Sequence, residues 1–274
     1  MSKLLVGLIG AGIQRSLSPA LQEEEARQHG LRLHYQLIDI AGTGVEVLPE
    51  LIRAVRIMKF AGLNITFPCK QAVIPLLDEL SDEARAIGAV NTVVREGDRL
   101  VGYNTDASGW AWGFQRALPK ADLSRVVLLG AGGAGAAVGY AALGLGVAEL
   151  LIFDLEPSRA AALASRLGKK ASPAGDLKSA MASATGLIHC TPIGMAGHPG
   201  LPLDAAWLRP AMWVSEIVYV PLETGLLKAA RRIGCASADG GHMNVGQAIR
   251  GFKLFTGRDA DAARMDAHFR RLVA

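Results

Sequence analysis

The amino-acid sequence predicts an α/β fold of two domains, and three features carry that prediction. The chain has 274 residues, which is long for a single hydrophobic core and sufficient for two. Short apolar runs typical of buried strands alternate along it with helical patterns, the order that builds mostly parallel sheets. Between residues 126 and 154, one strand–helix–strand unit carries a glycine-rich turn and ends in an acid.

The glycine-rich turn follows the apolar run Val126–Leu129 and has the sequence Gly130-Ala131-Gly132-Gly133-Ala134-Gly135. A helical stretch and a second apolar run then lead to Asp154. This order of strand, Gly-x-Gly-x-x-Gly, helix, strand and acid is the context that a dinucleotide fingerprint requires. Gly130 permits the tight turn, Gly132 lets the backbone approach a pyrophosphate, and Gly135 lets the helix pack closely. We therefore predict a Rossmann domain, the alternative being a turn that serves only helix–strand packing.

Composition and charge exclude several classes of protein. The net charge of +4 is mild and the cations are scattered, so we expect no nucleic-acid partner. No apolar run approaches membrane-spanning length, and the N-terminus does not resemble a secretory signal, so we expect a cytoplasmic protein, either a monomer or a homodimer. Cys69, Cys190 and Cys235 are isolated and lack metal-ligand spacing. They predict free thiols and no metal site.

The glycine fingerprint lies in the middle of the chain, so the two ends are left to form the other domain. We predict a substrate domain over residues 1–106 and 239–274 and a Rossmann domain over residues 107–238. The N-terminal part is expected to be a mostly parallel α/β unit ending in a hairpin, with strands near 88–94 and 99–103. A helix is expected over residues 71–80, and the C-terminal helices are expected to return to the first domain.

A second Gly-x-Gly, at Gly10 and Gly12, follows the first predicted strand but has no third glycine. We therefore interpret it as unrelated to dinucleotide binding. The segment Ser16-Leu17-Ser18-Pro19 comes next, and Pro19 opens a helical pattern. Ser18 is placed to be the N-cap of that helix, a role that explains Ser18 but not Ser16.

Candidates for proton transfer lie at two strand ends. Lys70 follows the strand of Asn64-Ile65-Thr66-Phe67-Pro68-Cys69-Lys70, at the predicted start of a helix. The positive end of the helix dipole opposes its charge there, which favours the neutral amine of a catalytic base. A solvated surface lysine is an equally good reading. Asp106 begins the next helix, as a cap or as a functional group. Asn64, Asn91 and Asn104, at neighbouring strand ends, suit a polyhydroxylated ligand.

Taken together, these motifs resemble the shikimate dehydrogenase family, which includes quinate/shikimate dehydrogenases, over essentially the full length. Gly88-Ala89-Val90-Asn91-Thr92, Gly102-Tyr103-Asn104-Thr105-Asp106, Thr191-Pro192-Ile193-Gly194-Met195, Tyr219 with Pro221, and Gln247 contribute beside the segments above. The resemblance implies reversible oxidation of a ring hydroxyl of shikimate or quinate to the 3-dehydro ketone, by hydride transfer to NAD(P).

The resemblance also implies a role for each matching residue. Lys70 and Asp106 would be the catalytic pair, with Lys70 as the base. Substrate would be bound by Ser16, Ser18, Thr66, Asn91, Asn104, Tyr219 and Gln247. The cofactor would be bound by the turn Gly130–Gly135 and by Asp154, Thr191 and Gly240.

The acids Asp154 and Glu156 favour NAD over NADP, because they would repel a 2′-phosphate. Arg159 is near enough in sequence to weaken that discrimination. Three alternatives stay open. Leu21-Gln22-Glu23 stands where family members carry a histidine, which leaves room for a paralogue acting on another cyclic polyol carboxylate. A non-catalytic dinucleotide-binding regulator would not need Lys70 and Asp106. A folate-linked dehydrogenase would need an aromatic slot, and only 5% of residues are aromatic.

Overall fold

The computed structural model describes residues 3–274. Two compact units are present, one formed by residues up to 105 with residues 247–274, the other by residues 106–246. The second boundary therefore falls inside the long helix Gly240–Thr256, whereas the predicted domain boundary lies just before that helix. Among helices of the described residues, none is long and apolar enough to cross a membrane.

The first unit is built on a mixed six-stranded sheet. Its strands are β1 (Lys3–Gly10), β2 (Arg32–Asp39), β3 (Gly62–Ile65), β4 (Glu79–Leu80), β5 (Thr92–Glu96) and β6 (Arg99–Tyr103), in the order β2-β1-β3-β5-β6-β4. β1 runs parallel to β2 and β3, whereas β5 is antiparallel to β3 and β6. The start of β5 therefore lies at the same edge of the sheet as the ends of β1, β3 and β6.

Helices cover both faces of this sheet. They are α1 (Ser18–Gln28), α2 (Leu48–Ile57), α3 (Cys69–Ala72), α4 (Asp82–Ile87), the later part of α10 (Gly240–Thr256) and α11 (Ala262–Val273). Successive residues of β1 point to opposite faces, so Leu8 joins one buried cluster with Phe255, and Ile9 joins another with Leu63. This two-sided burial explains why β1 is a continuous apolar run in the sequence.

The second unit is an open parallel sheet with helices. Its strands are β7 (Arg125–Leu129), β8 (Glu149–Phe153), β9 (Ala171–Pro173), β10 (Gly186–His189), β11 (Trp213–Glu216) and β12 (Ala236–Ala238), in the order β12-β11-β10-β7-β8-β9. The helices are α5 (Asp106–Ala117), α6 (Gly133–Gly144), α7 (Pro157–Leu167), α8 (Leu177–Ser183), α9 (Gly225–Ile233) and the start of α10. The predicted α/β class with a Rossmann sheet is confirmed, and β7 and β10 flank the point where the winding reverses.

Two predicted elements of the first unit are wrong. The helix expected over residues 71–80 is only the single turn α3, followed by a 3₁₀ turn at Ile74–Leu76 and the short strand β4. Pro75 has no N–H to donate and disfavours the helical conformation before it. The strand expected from residue 88 begins at Thr92. It is preceded by α4, which Ser81 caps by accepting a hydrogen bond from the Ala84 N–H at 3.1 Å.

Candidate active site

One edge of the first unit's sheet gathers most of the predicted substrate residues. The strand registers align Ile9 with Ile65, and Thr92 with both Asn64 and Tyr103. The following positions therefore share this edge: Ser16 and Ser18 after β1, Thr66 and Lys70 after β3, Asn91 before β5, and Asn104 after β6. Ligands of α/β sheets bind at such edges, because the strand ends leave their loops there.

The serine pair does not have the predicted capping role. Leu17 is the N-cap residue of α1 and Ser18 is its first helical residue, with no side-chain cap. The prediction that Ser18 is the N-cap is therefore wrong, because the helix begins one residue earlier than Pro19 suggested. The Ser16 hydroxyl instead accepts a hydrogen bond from the Ser18 N–H at 3.3 Å. Capping does not account for either hydroxyl, and their role toward a carboxylate stays a prediction.

The loop after β1 is held by a carboxylate. Asp39, the last residue of β2, accepts hydrogen bonds from the N–H groups of Gly12 at 2.9 Å and Ile13 at 3.2 Å. It also accepts one from the Ala41 N–H at 3.0 Å and one from Gln14 Nε2 at 3.1 Å. The N–H groups of Ala41 and Gly12 hold the pKa of Asp39 below its usual value. The N–H groups of Gly12 and Ile13 are thus already occupied and are not available to bind an anion.

Thr66 and Lys70, which follow β3, are each held by a neighbouring segment, Thr66 by packing against Gly10 and Lys70 by a hydrogen bond from Val90. A Cβ on Gly10 would lie 2.2 Å from Thr66 Cγ2, so the absence of a side chain at Gly10 lets Thr66 pack there. Lys70 is partly buried, and its carbonyl accepts a hydrogen bond from the Val90 N–H at 2.8 Å. Because α3 has only four residues, the helix field expected at Lys70 is that of a single turn. The role of Lys70 as a base stays a prediction.

A buried amide network runs across this edge. The Tyr35 hydroxyl donates to Asn64 Oδ1 at 2.7 Å, and Asn64 Nδ2 donates to Thr92 Oγ1 at 3.1 Å. Asn91 Oδ1 accepts from the Thr105 N–H at 2.7 Å, while Asn91 Nδ2 donates to Thr105 Oγ1 at 2.9 Å. Asn91 therefore fixes the residue that directly precedes Asp106. Tyr35 was not among the predicted site residues, since its partner lies on a distant strand.

Two further side chains hold the backbone close to predicted substrate-binding residues. Asn104 Nδ2 donates to the Ala89 carbonyl at 2.9 Å, which ties the end of β6 to the segment before Asn91. Gln22, which is 1% exposed, donates from Nε2 to the Ala248 carbonyl at 2.9 Å. That contact anchors the helical turn of Gln247 on α1. In the sequence Gln22 stands out only as a departure from the family, whereas its burial and this hydrogen bond give it a structural role.

In the second unit, the glycine turn has the conformation that the fingerprint predicts. Gly130 has φ +96, and α6 begins at Gly133 with Gly132 as its N-cap. A Cβ on Gly135 would lie 1.9 Å from the Gly130 carbonyl oxygen, so only glycine allows this close approach. A Cβ on Gly132 would meet nothing within 4 Å, so the backbone is open on that side. With the free N–H groups of the first turn of α6, these residues fit a pyrophosphate.

Asp154 stands beside this turn, one residue after β8 ends. Its Oδ2 accepts a hydrogen bond from the Ala131 N–H at 2.7 Å, and its Oδ1 accepts one from the Glu156 N–H at 3.0 Å. Leu155 is 93% exposed, so the segment after Asp154 faces solvent. The carboxylate is therefore held at the end of the glycine turn, where the acid of a dinucleotide fingerprint is expected.

The remaining predicted residues of the second unit lie at strand or helix ends. Thr191 follows β10, and its Cγ2 would lie 3.1 Å from a Cβ on Gly130. Tyr219 follows β11, and Gly240 opens α10, where a Cβ would lie 2.3 Å from the Val218 carbonyl oxygen. Asp106 is the first residue of α5 and is 5% exposed. It belongs to the second unit and Lys70 to the first, so their pairing stays a prediction.

One buried pair of titratable side chains is not among the predicted site residues. His189 Nδ1 lies 2.9 Å from Glu216 Oε1, and both side chains are fully buried. The available signal was that a histidine and a glutamate interrupt two mostly apolar runs of the sequence, residues 186–190 and 212–219.

Comparison with known proteins places this geometry in a family. Residues 8–93 match the family described as shikimate dehydrogenase substrate binding domain. The chain is 55% identical to the shikimate dehydrogenase (NADP(+)) of Streptomyces avermitilis, covering 98% of this chain and 96% of that one. It superposes on the quinate dehydrogenase from Corynebacterium glutamicum in complex with NAD with a TM-score of 0.90 and 43% identity, over 98% and 99% of the two chains.

A second solved structure agrees. Shikimate 5-dehydrogenase from Thermus thermophilus in complex with NADP(H) and shikimate has a TM-score of 0.87 and 34% identity, over 98% of this chain and 99% of that one. These likenesses extend over both units and not only over the matched substrate domain. The chain therefore belongs to the shikimate dehydrogenase family of oxidoreductases.

Proposed function

We propose that this protein reversibly oxidises a ring hydroxyl of shikimate or quinate to the 3-dehydro ketone, with a nicotinamide dinucleotide as hydride acceptor. The observation that carries the proposal is the gathering of Ser16, Ser18, Thr66 and Lys70 at one sheet edge of a chain in this family. Hydroxyl donors suit a carboxylate and ring hydroxyls, and the neighbouring amine suits a proton acceptor.

Each group has a defined task in this reaction. The bound dinucleotide supplies the nicotinamide that takes the hydride. Lys70, as the neutral amine, takes the proton of the reacting hydroxyl, and Asp106 favours the resulting ammonium. The two serine hydroxyls donate hydrogen bonds to the substrate carboxylate. Ring hydroxyls are bound by Thr66, Asn91, Asn104, Tyr219 and Gln247.

We propose NAD as the preferred dinucleotide. The relatives differ in this respect, since one is named for NADP(+) and one solved structure contains NAD. The support within this chain is Asp154, held beside the glycine turn by the Ala131 N–H, with Glu156 two residues later. Two carboxylates would repel the 2′-phosphate of NADP, whereas a free 2′-hydroxyl can donate to Asp154.

The first experiment is a spectrophotometric assay of dinucleotide reduction, crossing NAD and NADP with shikimate and quinate at saturating concentrations. We expect reduction of NAD with at least one acid. Dinucleotide binding without turnover of either acid would contradict the proposed reaction. It would favour a paralogue with another cyclic substrate, or a non-catalytic regulator.

The assignment of Lys70 is tested by Lys70→Ala, with Lys120→Ala as the matched control. Lys120 is exposed in the second unit and has no proposed role. Loss of the base should lower kcat by about 10²–10⁴-fold while the dinucleotide Kd stays unchanged. An unchanged kcat in Lys70→Ala would remove Lys70 from the mechanism.

A further inference from the structure

A carboxylate, an imidazole and a hydroxyl form a chain of hydrogen-bond contacts at the edge of the second unit's sheet where the parallel strands end. His189 is the last residue of β10, and it pairs in register with Glu216, the last residue of β11. His189 Nδ1 lies 2.9 Å from Glu216 Oε1, and His189 Nε2 lies 2.5 Å from Thr191 Oγ1. The histidine thus connects a fully buried acid to the first residue of the Thr-Pro-Ile-Gly-Met loop.

The carboxylate end of this chain of contacts is fixed by two other donors. Glu216 Oε1 also accepts from the Val218 N–H at 3.0 Å, and Oε2 accepts from the Thr224 hydroxyl at 3.0 Å. Thr224 is in turn the N-cap of α9. The two ring nitrogens of His189 have different partners, Nδ1 facing Glu216 and Nε2 facing Thr191. The imidazole is therefore held in one orientation.

The hydroxyl end lies against the glycine turn. Thr191 Cγ2 would lie 3.1 Å from a Cβ on Gly130, and the Ile193 N–H donates to Thr191 Oγ1 at 3.4 Å. Thr191 is thereby held between His189 and the fingerprint. The burial of this histidine–carboxylate pair is weak evidence for a role in stability, because well-packed apolar residues often stabilise a fold as much. The position of this pair beside the dinucleotide turn points to a role in binding.

We propose that His189, oriented by Glu216, is a positioning residue that fixes the Thr191 hydroxyl and its loop against the glycine turn, and so increases dinucleotide affinity. This inference rests on the proposed function, because it requires that the glycine turn bind a dinucleotide. It assigns His189 no contact with the reacting atoms. Its effect is on the dinucleotide Kd and not on kcat.

Two histidine variants separate positioning of Thr191 from simple satisfaction of Glu216. In His189→Gln, the side-chain amide reaches the place of Nε2, beside Thr191. In His189→Asn, it reaches only the place of Nδ1, beside Glu216. We expect His189→Asn and Thr191→Val to raise the Kd for NAD⁺ about tenfold, the ratio for one lost hydrogen bond. The Kd of His189→Gln should stay within about threefold of the wild type, and kcat at saturation should change little in the two histidine variants.

Isothermal titration calorimetry with NAD⁺ and NADP⁺ measures Kd without turnover, and thermal unfolding verifies the fold of each variant. The double variant His189→Asn/Thr191→Val should bind no more weakly than Thr191→Val alone, because both changes remove one interaction. Thr191→Val leaves the buried pair intact, so its result stands even if a histidine variant fails to fold. An unchanged Kd in Thr191→Val overturns the inference.

The inference is also overturned if the Kd for NAD⁺ is near the wild-type value in His189→Asn and raised in His189→Gln. The pair would then serve only the burial of Glu216. If the wild type binds neither dinucleotide, the proposed function fails and this inference fails with it. If the wild type binds and all variants bind equally, only this inference fails.

Discussion

The two strand–glycine–helix junctions of this protein begin alike and differ in what occupies their backbone donors. In each unit a glycine stands at the end of a buried strand: Gly10 is the last residue of β1, and Gly130 directly follows β7. In each, an acid at the end of the adjacent parallel strand accepts hydrogen bonds from the loop: Asp39 in the first unit and Asp154 in the second. The shared pattern follows from parallel register, which brings neighbouring strand ends to one edge.

The difference lies in where the following helix begins. After Gly130 the helix α6 begins at Gly133, so the amides of its first turn stand at the turn itself and have no intrahelical acceptors. After Gly10 the helix α1 begins only at Ser18, and Asp39 accepts from two of the intervening N–H groups, those of Gly12 and Ile13. The same strand, glycine and acid thus form a loop held by its own carboxylate in one unit, and in the other a turn with open amides that we propose binds the pyrophosphate.

The largest expected effect comes from Gly135→Ala, which removes the close approach that the second junction requires. The added Cβ would lie 1.9 Å from the Gly130 carbonyl oxygen, so the turn or the helix must shift. We expect destabilisation of about 1–3 kcal/mol and a rise in the dinucleotide Kd of roughly a hundredfold, about two lost hydrogen bonds. Urea unfolding and calorimetric titration measure the two effects. A Kd within threefold of the wild type would show that this helix start does not hold the dinucleotide.

A smaller effect, on binding alone, is expected for Gly132→Ala. Gly132 has φ −76, which alanine adopts freely, and its Cβ would meet nothing within 4 Å. The free energy of unfolding should therefore change by less than about 0.5 kcal/mol. The methyl group would occupy the side from which a pyrophosphate approaches, so the Kd should rise about tenfold.

The control for Gly132→Ala is Gly144→Ala at the other end of α6, where a Cβ also meets nothing. That variant should leave the Kd unchanged. Equal Kd values in both variants would mean that the open face of the turn is not a binding surface.

These junctions also show which parts of the protein follow from the sequence. β7, α6 and β8 were predicted within a few residues because their signals are local: β-branched runs, three glycines and an acid. The helix over residues 71–80 was mispredicted although a local signal, Pro75, was present. The roles of Asn64 and Asn91 as partners of Tyr35 and Thr105 depend on strand register. No spacing in the sequence reveals that register.

The contact between His189 and Glu216 could not be predicted from the sequence for the same reason. His189 and Glu216 are 27 residues apart, and they meet because β10 and β11 are neighbours in the sheet. Sequence patterns predict that both strands are buried, but they do not say which strand lies beside which. Buried polar groups therefore become interpretable only when the strand order is known, since each then has identifiable partners.

The acid of the second junction, Asp154, is expected to influence the dinucleotide preference, and the expected effect is moderate. Asp154→Asn keeps an oxygen that can accept the Ala131 N–H but removes the charge. We expect the ratio of kcat/KM for NADP to that for NAD to rise about tenfold, because repulsion of the 2′-phosphate is relieved. Glu156→Gln, farther from the turn in sequence, should change that ratio less. A wild type that prefers NADP, or an unaltered ratio in Asp154→Asn, would contradict the NAD assignment.

The smallest effect is expected at the first junction, from Asp39→Asn. The pKa of Asp39 is lowered by the N–H groups of Ala41 and Gly12. Between this lowered pKa and that of the unfolded chain, the unfolded state binds more protons, so the stabilisation is complete above the unfolded pKa and is lost as the pH falls through the folded one. The urea midpoints of wild type and Asp39→Asn should therefore differ at pH 7, begin to approach each other below about pH 4, the ordinary carboxyl range, and converge only below the lowered pKa of Asp39. A midpoint difference that does not shrink as the pH falls below the ordinary carboxyl range, or a changed dinucleotide Kd in Asp39→Asn, would contradict the view that Asp39 holds this loop.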